Sequence, residues 1–595
     1  MHLTNKLAFH SIFLAILPVL HSTANAAVSD MPYVNIVAMS SQKCLDIPKN
    51  STQDAAQVMQ TACNGKATEV WKIVAVTPTQ YQIISNNTGM CLDLDGASSK
   101  NGALMQQSAC AGMNRKNQIW NITPIANGYQ LISASSGKCL DVTDHATADN
   151  TPIQQWDCNA NGQDNQTWKL TPVDPNLTVT SPLNITTSNT TISGVKISNA
   201  NGPCIIISGK SGNVSHVTIQ NSEIGPCANS ASPNYKTVGN GIFIDSSYVP
   251  GNVSDVKVNN VNFHDIQGDG VALYSSFTAA NSTGNILTVT NSLFTNISSH
   301  GIYVSFAKPA ATDAVPAISA LSFTNLKMQN IPTQSILIYG TNSAFVENNT
   351  FMFTQSGVSA SQSEGVRVNN NNFYHLKPNN QSGKSAYGSF VQFNGVFGPG
   401  NTIACNVGLQ DDYTTPQSPD GISDEISVYS SSGVAKSPML VIGNKLKGGG
   451  ALQLKTGDVG SGITVGDGNG GSYINVIDNV MVNVGHGGLM GAGGNNIQLI
   501  KNQIFSVANP VNFFGLGFVN YAGLYNGGPC SAITVSDNKV NWTNQYGPDT
   551  KGWINPVITG STLCTNFNWK NNTFQDAMLN ASIFDTYKSS VCPMI

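Results

Sequence analysis

Short runs of alternating apolar and polar residues recur along most of this chain, and each closes on an asparagine. Val217-Thr-Ile-Gln-Asn221, Val256-Lys-Val-Asn-Asn260, Leu287-Thr-Val-Thr-Asn291 and Leu321-Ser-Phe-Thr-Asn325 are the clearest copies. The series continues at Val366–Asn370, Leu440–Asn444 and Thr534–Asn538, with looser copies ending at Asn348, Asn406, Asn479 and Asn502. A period of two predicts strands with one face inward and one outward. A second short strand is predicted after most copies, at 241–245, 270–274, 301–305, 335–339, 425–429 and 450–454. Closing asparagines are spaced 22 to 39 residues apart, and no long amphipathic helix interrupts them.

Coils of two or three strands cornered by asparagine describe a right-handed, single-stranded parallel β-helix over residues 183–595. Stacked asparagines satisfy one another's amides along such a corner, as identical side chains do in cross-β stacks. About eleven coils at ~4.8 Å each predict a rod of about 50 Å. A β-propeller would need four strands per blade in a steadier period. The pattern resembles the pectate-lyase-like β-helix superfamily, a resemblance that implies a scaffold and leaves the reaction open.

The first part of the chain repeats differently. Strand-like runs at Tyr33-Val-Asn-Ile-Val, Tyr81-Gln-Ile-Ile-Ser and Tyr129-Gln-Leu-Ile-Ser each precede a pair of cysteines: Cys44 and Cys63, Cys91 and Cys110, Cys139 and Cys158. Trp71, Trp120 and Trp168 close the three units, with a period of 47 to 49 residues. One supersecondary unit copied three times cannot bury its apolar face alone, so the copies must share a core. Cys-Leu-Asp at 44–46, 91–93 and 139–141 and Gln-x-Trp at 118–120 and 166–168 carry a resemblance to the ricin-type β-trefoil lectin module over residues 33–172; the first unit departs, with Glu69-Val70-Trp71. The resemblance implies three loop-stapling disulfides and a sugar site made of an aromatic platform and a polar set. The third unit matches at all five positions, Asp141, Gln154, Trp156, Asn165 and Gln166. The second keeps Asp93, Gln106, Asn117 and Gln118 but has Ser108 in place of the platform. The first keeps only Asp46, with Met59, Thr61 and Thr68-Glu69 elsewhere. One sugar site is therefore expected, in the third unit.

Composition narrows the partners. Only 10% of residues are charged, the net charge is −4, and Arg115 and Arg367 are the two arginines, so there is no basic footprint for nucleic acid. Lys6, the apolar run Leu7–Leu20 and Ala24-Asn-Ala26 predict a secretory signal over residues 1–26, and no later stretch is apolar enough to span a bilayer. An extracellular or periplasmic monomer follows, with a linker at 173–182. Twelve cysteines without a Cys-x-x-Cys motif suit disulfides rather than a metal site. Beyond the three repeat pairs, Cys204 with Cys227 and Cys530 with Cys564 are plausible pairs. Cys405 and Cys592 remain, and spacing leaves the connectivity open.

Equivalent positions on successive coils stack about 4.8 Å apart, so columns can be read from the sequence. The position before the second strand holds Asn240, Asp269, His300, Gln334 and Asp424, while Phe243, Asp245, Tyr274, Tyr303, Glu425, Ser427 and Tyr429 are read as outward. Glycosidic bond cleavage needs a proton donor and a partner that activates water or attacks, typically two carboxyls. Asp245, Asp269 and His300 form the leading catalytic set, Asp424 and Glu425 the next, with Tyr274, Tyr303 and Tyr429 as groove aromatics. An Asp before Gly, as at Asp269-Gly270, is also an ordinary turn residue. Glu223 is a secondary candidate, and Asp265 is read as a corner residue in line with Asn296 and Asn330. Asp411-Asp412 could hold calcium, yet no calcium-loop pattern supports it, so no cofactor is expected. Gly448-Gly-Gly and 466–471 lack Gly-Lys-Ser/Thr and read as tight turns. Arg367 falls in line with Lys257 and Thr218, away from the acidic face, which favours hydrolysis over elimination of a uronate. The expectation is a secreted carbohydrate-active enzyme acting on a polysaccharide. A polysaccharide lyase and a non-catalytic glycan-binding adhesin are the alternatives.

Overall fold

The computed structural model describes residues 33–592 apart from positions 78, 112–114, 126, 160–162, 174–175, 232, 235–237, 249–250, 276–283, 307–318, 378–387, 411–421, 450–459, 508–513, 520–529, 545–546 and 556–563. The signal segment, Asp411-Asp412 and the strand expected at 450–454 lie outside the described residues. The chain divides into two units, Met1–Asn176 and Leu177–Ile595.

The first unit is a β-trefoil of twelve described strands. Its core gathers Trp71, Trp120 and Trp168, each fully buried, with the alternating Val, Ile and Leu of the predicted runs. Each indole Nε1 donates to the carbonyl of the leucine in its own Cys-Leu-Asp, at 2.9 Å to Leu45, 3.2 Å to Leu92 and 3.0 Å to Leu140. That one bond fixes the ring and satisfies its only polar group. A second threefold set ties the repeats together. Gln155 Nε2 reaches the carbonyls of Ser98 and Lys100 in the repeat before it, and Gln107 reaches Ser51 and Gln53. Gln60 closes the ring on Ala146 and Ala148. The first strand, Tyr33–Ala38, pairs antiparallel with the last, Trp168–Pro172.

The second unit is a parallel β-helix. A 13-stranded parallel sheet faces a 26-stranded one among the described residues, so each coil contributes one strand to the first and two to the second. Thirteen strands at ~4.8 Å separation extend about 58 Å, longer than the eleven coils predicted. Several of the added strands, such as Ser356–Ser361, Ser461–Asp467 and Gly487–Gly491, carry small residues on both faces and so lack a clear alternation. Thr178–Thr180, inside the span read as linker, pairs in parallel with Val195–Ile197. Phe263 stacks on Phe294 at 4.5 Å between ring centroids, and Phe351, Phe373 and Phe390 continue the interior stack farther along.

The corners explain the asparagines, with one shift of position. Asn291, Asn325, Asn348 and Asn370 take positive φ of 51° to 59°, the left-handed conformation that asparagine tolerates. The buried ladder is built by the residue after the corner. Asn349, Asn371, Asn406, Asn444, Asn479, Asn502 and Asn538 each donate Nδ2 to the Oδ1 of the next, ending at Asn572, at 2.8 to 3.0 Å. Some predicted runs thus end on the corner residue and others on the ladder residue. Arg367 lies in register with Phe345, in the column that includes Lys257 and Thr218, and its guanidinium sits 5.1 Å over the Phe345 ring. Disulfides join all six expected repeat cysteines, Cys204 to Cys227, Cys530 to Cys564, and Cys405 to Cys592.

Candidate functional site

In the third trefoil repeat the antiparallel pair Cys139–Val142 and Thr151–Trp156 sets Asp141 opposite Gln154. Gln154 Nε2 donates to Asp141 Oδ1 at 2.9 Å, while Asn165 Nδ2 and Gln166 Nε2 donate to Oδ2 at 2.8 and 3.0 Å. Burial pushes the Asp141 carboxyl up and these amides pull it back, leaving it above its ordinary value. Trp156, two residues beyond Gln154, is 45% exposed, whereas the three core tryptophans are fully buried. An exposed ring beside a fixed polar cluster matches the two faces of a pyranose. All five predicted residues come together.

The other repeats differ as their sequences do. Asp93 keeps the same three amide donors, Gln106, Asn117 and Gln118, but Ser108 offers no ring and Arg115 stands 3.7 Å from the carboxylate. In the first repeat Thr61 Oγ1 donates to Asp46 at 2.7 Å. Glu69 accepts from the backbone of Asn64 and Gly65, closing its loop rather than a sugar site.

In the second unit the predicted column is real: Asn240, Asp269 and His300 stack on successive coils. Asn240 Oδ1 accepts from the Asp269 N–H at 2.7 Å. Asp269 Oδ1 lies 2.9 Å from His300 Nδ1 and accepts from the His300 backbone N–H at 3.0 Å. A carboxylate facing Nδ1 favours the tautomer with its proton there and leaves Nε2 outside that pair. The His300 ring is 5.2 Å from Tyr303, and Tyr303 is 5.0 Å from Tyr274 between centroids. Desolvation first, then the Asp269 charge and Tyr303, raise the Tyr274 phenol above its ordinary value.

The remaining candidates are not brought to this point. Asp245 pairs in register with Tyr274, five residues along the strand direction from Asp269, or roughly 16 Å of extended chain. Its carboxylate instead binds Ser247. Phe243 and Asp245 are read as outward but are buried, at 1% and 3% exposed. Asp424 and Glu425 lie five coils from Asp269, about 24 Å away. Asp424 Oδ1 accepts from Ser461 N–H and Thr464 Oγ1, both at 2.7 Å, while desolvation and Asp467 raise its carboxyl to about 6. Glu425 is buried beside Gly449. Tyr429 is exposed on its own coil at the far end of its strand.

One cluster was assigned only a secondary place by sequence. Glu223 lies 2.6 Å from Lys196 Nζ and 3.1 Å from His264 Nε2, and His264 Nδ1 lies 3.0 Å from Asp265. Burial alone would lower the His264 pKa, but its two carboxylates raise it to about 9. Burial likewise works to raise Glu223, and His264 with Lys196 outweighs it, holding the carboxyl below its ordinary value. Asn296 Nδ2 donates to Asp265 at 3.0 Å, which makes Asp265 the corner residue expected. Each group of this network is satisfied by another. Coil lengths vary too much for the sequence to align Lys196 with Glu223. Among the described residues no group of three or more His, Cys, Asp or Glu side chains is arranged to hold a metal ion.

Residues 32–168 match the family model described as Ricin-type beta-trefoil lectin domain, and this part of the chain is a lectin domain of that type. No curated protein matches the chain. Solved structures that resemble it include the designed threefold-symmetric protein ThreeFoil, 33% identical, covering 24% of this chain and 99% of that one at a TM-score of 0.23. An exo-β-1,3-galactanase from Clostridium thermocellum is 34% identical over 24% of this chain and 30% of its own, with a TM-score of 0.23. The Rhizoctonia solani agglutinin is 17% identical, covering 24% and 96%, with a TM-score of 0.22.

Proposed function

We propose that this protein is a secreted carbohydrate-active enzyme: the lectin domain holds a glycan through Trp156 and the Asp141 cluster, and the β-helix cleaves glycosidic bonds at His300. The observation that carries the cleavage reading is the Asp269–His300 pair beside Tyr303 and Tyr274. An imidazole oriented by a buried carboxylate can take up or give a proton at its other nitrogen. Rings at its side offer a sugar an apolar face. Hydrolysis is the first reading, with His300 Nε2 activating water or protonating the leaving oxygen. Elimination is the second, favoured by one observation: Asp245 and Asp424 stand roughly 16 Å of extended chain and about 24 Å from Asp269, beyond the roughly 6.5–9.5 Å that inverting hydrolysis uses, while a phenol and an imidazole can serve as acid and base. Six disulfides support export to an oxidising compartment.

The test is a panel of polysaccharides incubated with the purified protein. New reducing ends without ultraviolet-absorbing unsaturated sugar indicate hydrolysis; unsaturated ends indicate elimination. Glycan binding with neither product would leave an adhesin and reject the enzyme.

A further inference from the structure

We infer that the second unit carries a separate binding site for a neutral oligosaccharide, in a cleft of about 440 Å³ at the ends of the strands Val391–Asn394 and Ile426–Tyr429. That volume is the size at which a cleft encloses a small ligand, within the roughly 300–1,000 Å³ of typical sites. Two aromatic rings in its wall face solvent, Phe397 at 48% and Tyr429 at 40% exposed. Their neighbours Phe390 and Phe393 are buried in the coil interior, so the exposure of the first two is not a shortage of core. The Tyr429 ring rests over the turn at Gly468, where a β-carbon would stand 2.5 Å from its Cζ. A glycine there keeps the ring seated without a side chain beneath it.

Around the rings stand the amides of Gln362, Asn394, Asn469 and Asn495 and hydroxyls from neighbouring serines. Carboxamides and hydroxyls both donate and accept, which suits the ring of alcohols on a sugar. No charged side chain belongs to the lining. The adjacent acid, Asp467, accepts the Gly468 N–H at 2.6 Å and would repel a uronate rather than hold it. A phosphate or carboxylate ligand would find no countercharge here. An exposed ring with amides beside it is also the composition around Trp156, reached on a different scaffold. Those two strands lie three and four coils beyond the strand that follows His300, and the cleft is at the opposite end of its strands, so it is not a part of the His300 cluster. The inference goes beyond the cleavage reading and does not require it.

The test uses the full chain carrying Trp156→Ala, so that the lectin site is silent. Titration calorimetry is run with maltohexaose, cellohexaose and laminarihexaose as neutral probes and hexagalacturonate as the anionic one. At least one neutral probe binds and hexagalacturonate does not. Adding Tyr429→Ala or Phe397→Ala weakens that binding about tenfold, while Tyr429→Phe keeps most of it. Both rings are exposed, so unchanged thermal melts confirm that the variants are folded. Absence of binding to every neutral probe, equal affinity in the alanine variants, or preference for hexagalacturonate would each overturn the site.

Discussion

Asp269 holds His300 twice through a single oxygen, at 2.9 Å to the imidazole and 3.0 Å to the backbone N–H one coil away. The carboxylate therefore sets both where the ring sits and which nitrogen carries its proton. Asp269→Asn keeps the size but can present its amide N–H to Nδ1, turning the ring or its tautomer. Cleavage of the responsive polysaccharide is expected to fall at least a hundredfold with the melting temperature little changed. His300→Ala should fall as far. Reducing-end release in a fixed-time assay measures both, and full activity in either variant removes this pair from the mechanism.

The lectin domain offers a contrast inside one molecule. Trp156→Ala removes the exposed platform and should abolish glycan binding by that domain, whereas Ser108→Ala changes a buried residue of a repeat without a platform and should leave it intact. A glycan array probed with both variants decides. Equal binding by the two would show that the third repeat is not the single sugar site.

The asparagine ladder makes a stability prediction. Asn444 donates to the Ile403 carbonyl and to Asn479, and its Oδ1 accepts from the backbone and side chain of Asn406. Asn444→Ala strands these buried partners and should cost about 3 kcal/mol. Asn325→Ala, which loses one exposed corner bond to Asn291, should cost about 1 kcal/mol. Chemical denaturation of the two variants against the parent gives the difference.

The Lys196–Glu223–His264–Asp265 network makes the stability of its coils pH dependent. His264 has a folded value of about 9 against an ordinary 6.5, so its contribution is full below pH 6.5 and is lost as pH rises through 9. Glu223 is lowered from 4.5, so its contribution is full above that pH and is lost as pH falls below it. Thermal melts should peak between about pH 4.5 and 6.5. In His264→Gln the decline above pH 6.5 should flatten; an unchanged decline would assign it to other groups.

Much of the fold is legible in the sequence because its repeats are in phase. Parallel coils keep register, so Asn240, Asp269 and His300 could be aligned from the strands that follow them. Asp245 shows the limit of that method: it shares a coil with Asn240 but sits five residues along, too far to pair with Asp269. The ladder is legible to within one residue, since corner and ladder positions are adjacent and both accept asparagine. Asn348 and Asn349 differ only in which one turns inward. The Cys405–Cys592 bridge was open to the sequence because it joins positions 187 apart with no local pattern at either. The cleft at Tyr429 was illegible for a related reason. Its wall draws on five separate segments whose spacing is irregular, and only the ring of Tyr429 stood out beforehand.

The pairing of Tyr33–Ala38 with Trp168–Pro172 brings the entrance and exit of the lectin domain side by side. A domain closed in this way asks little of the chain around it, because a host need only supply two neighbouring attachment points. It behaves as a cassette. Moved to another protein, or expressed alone, it should fold and keep its sugar preference, so that preference can change without any change in the β-helix.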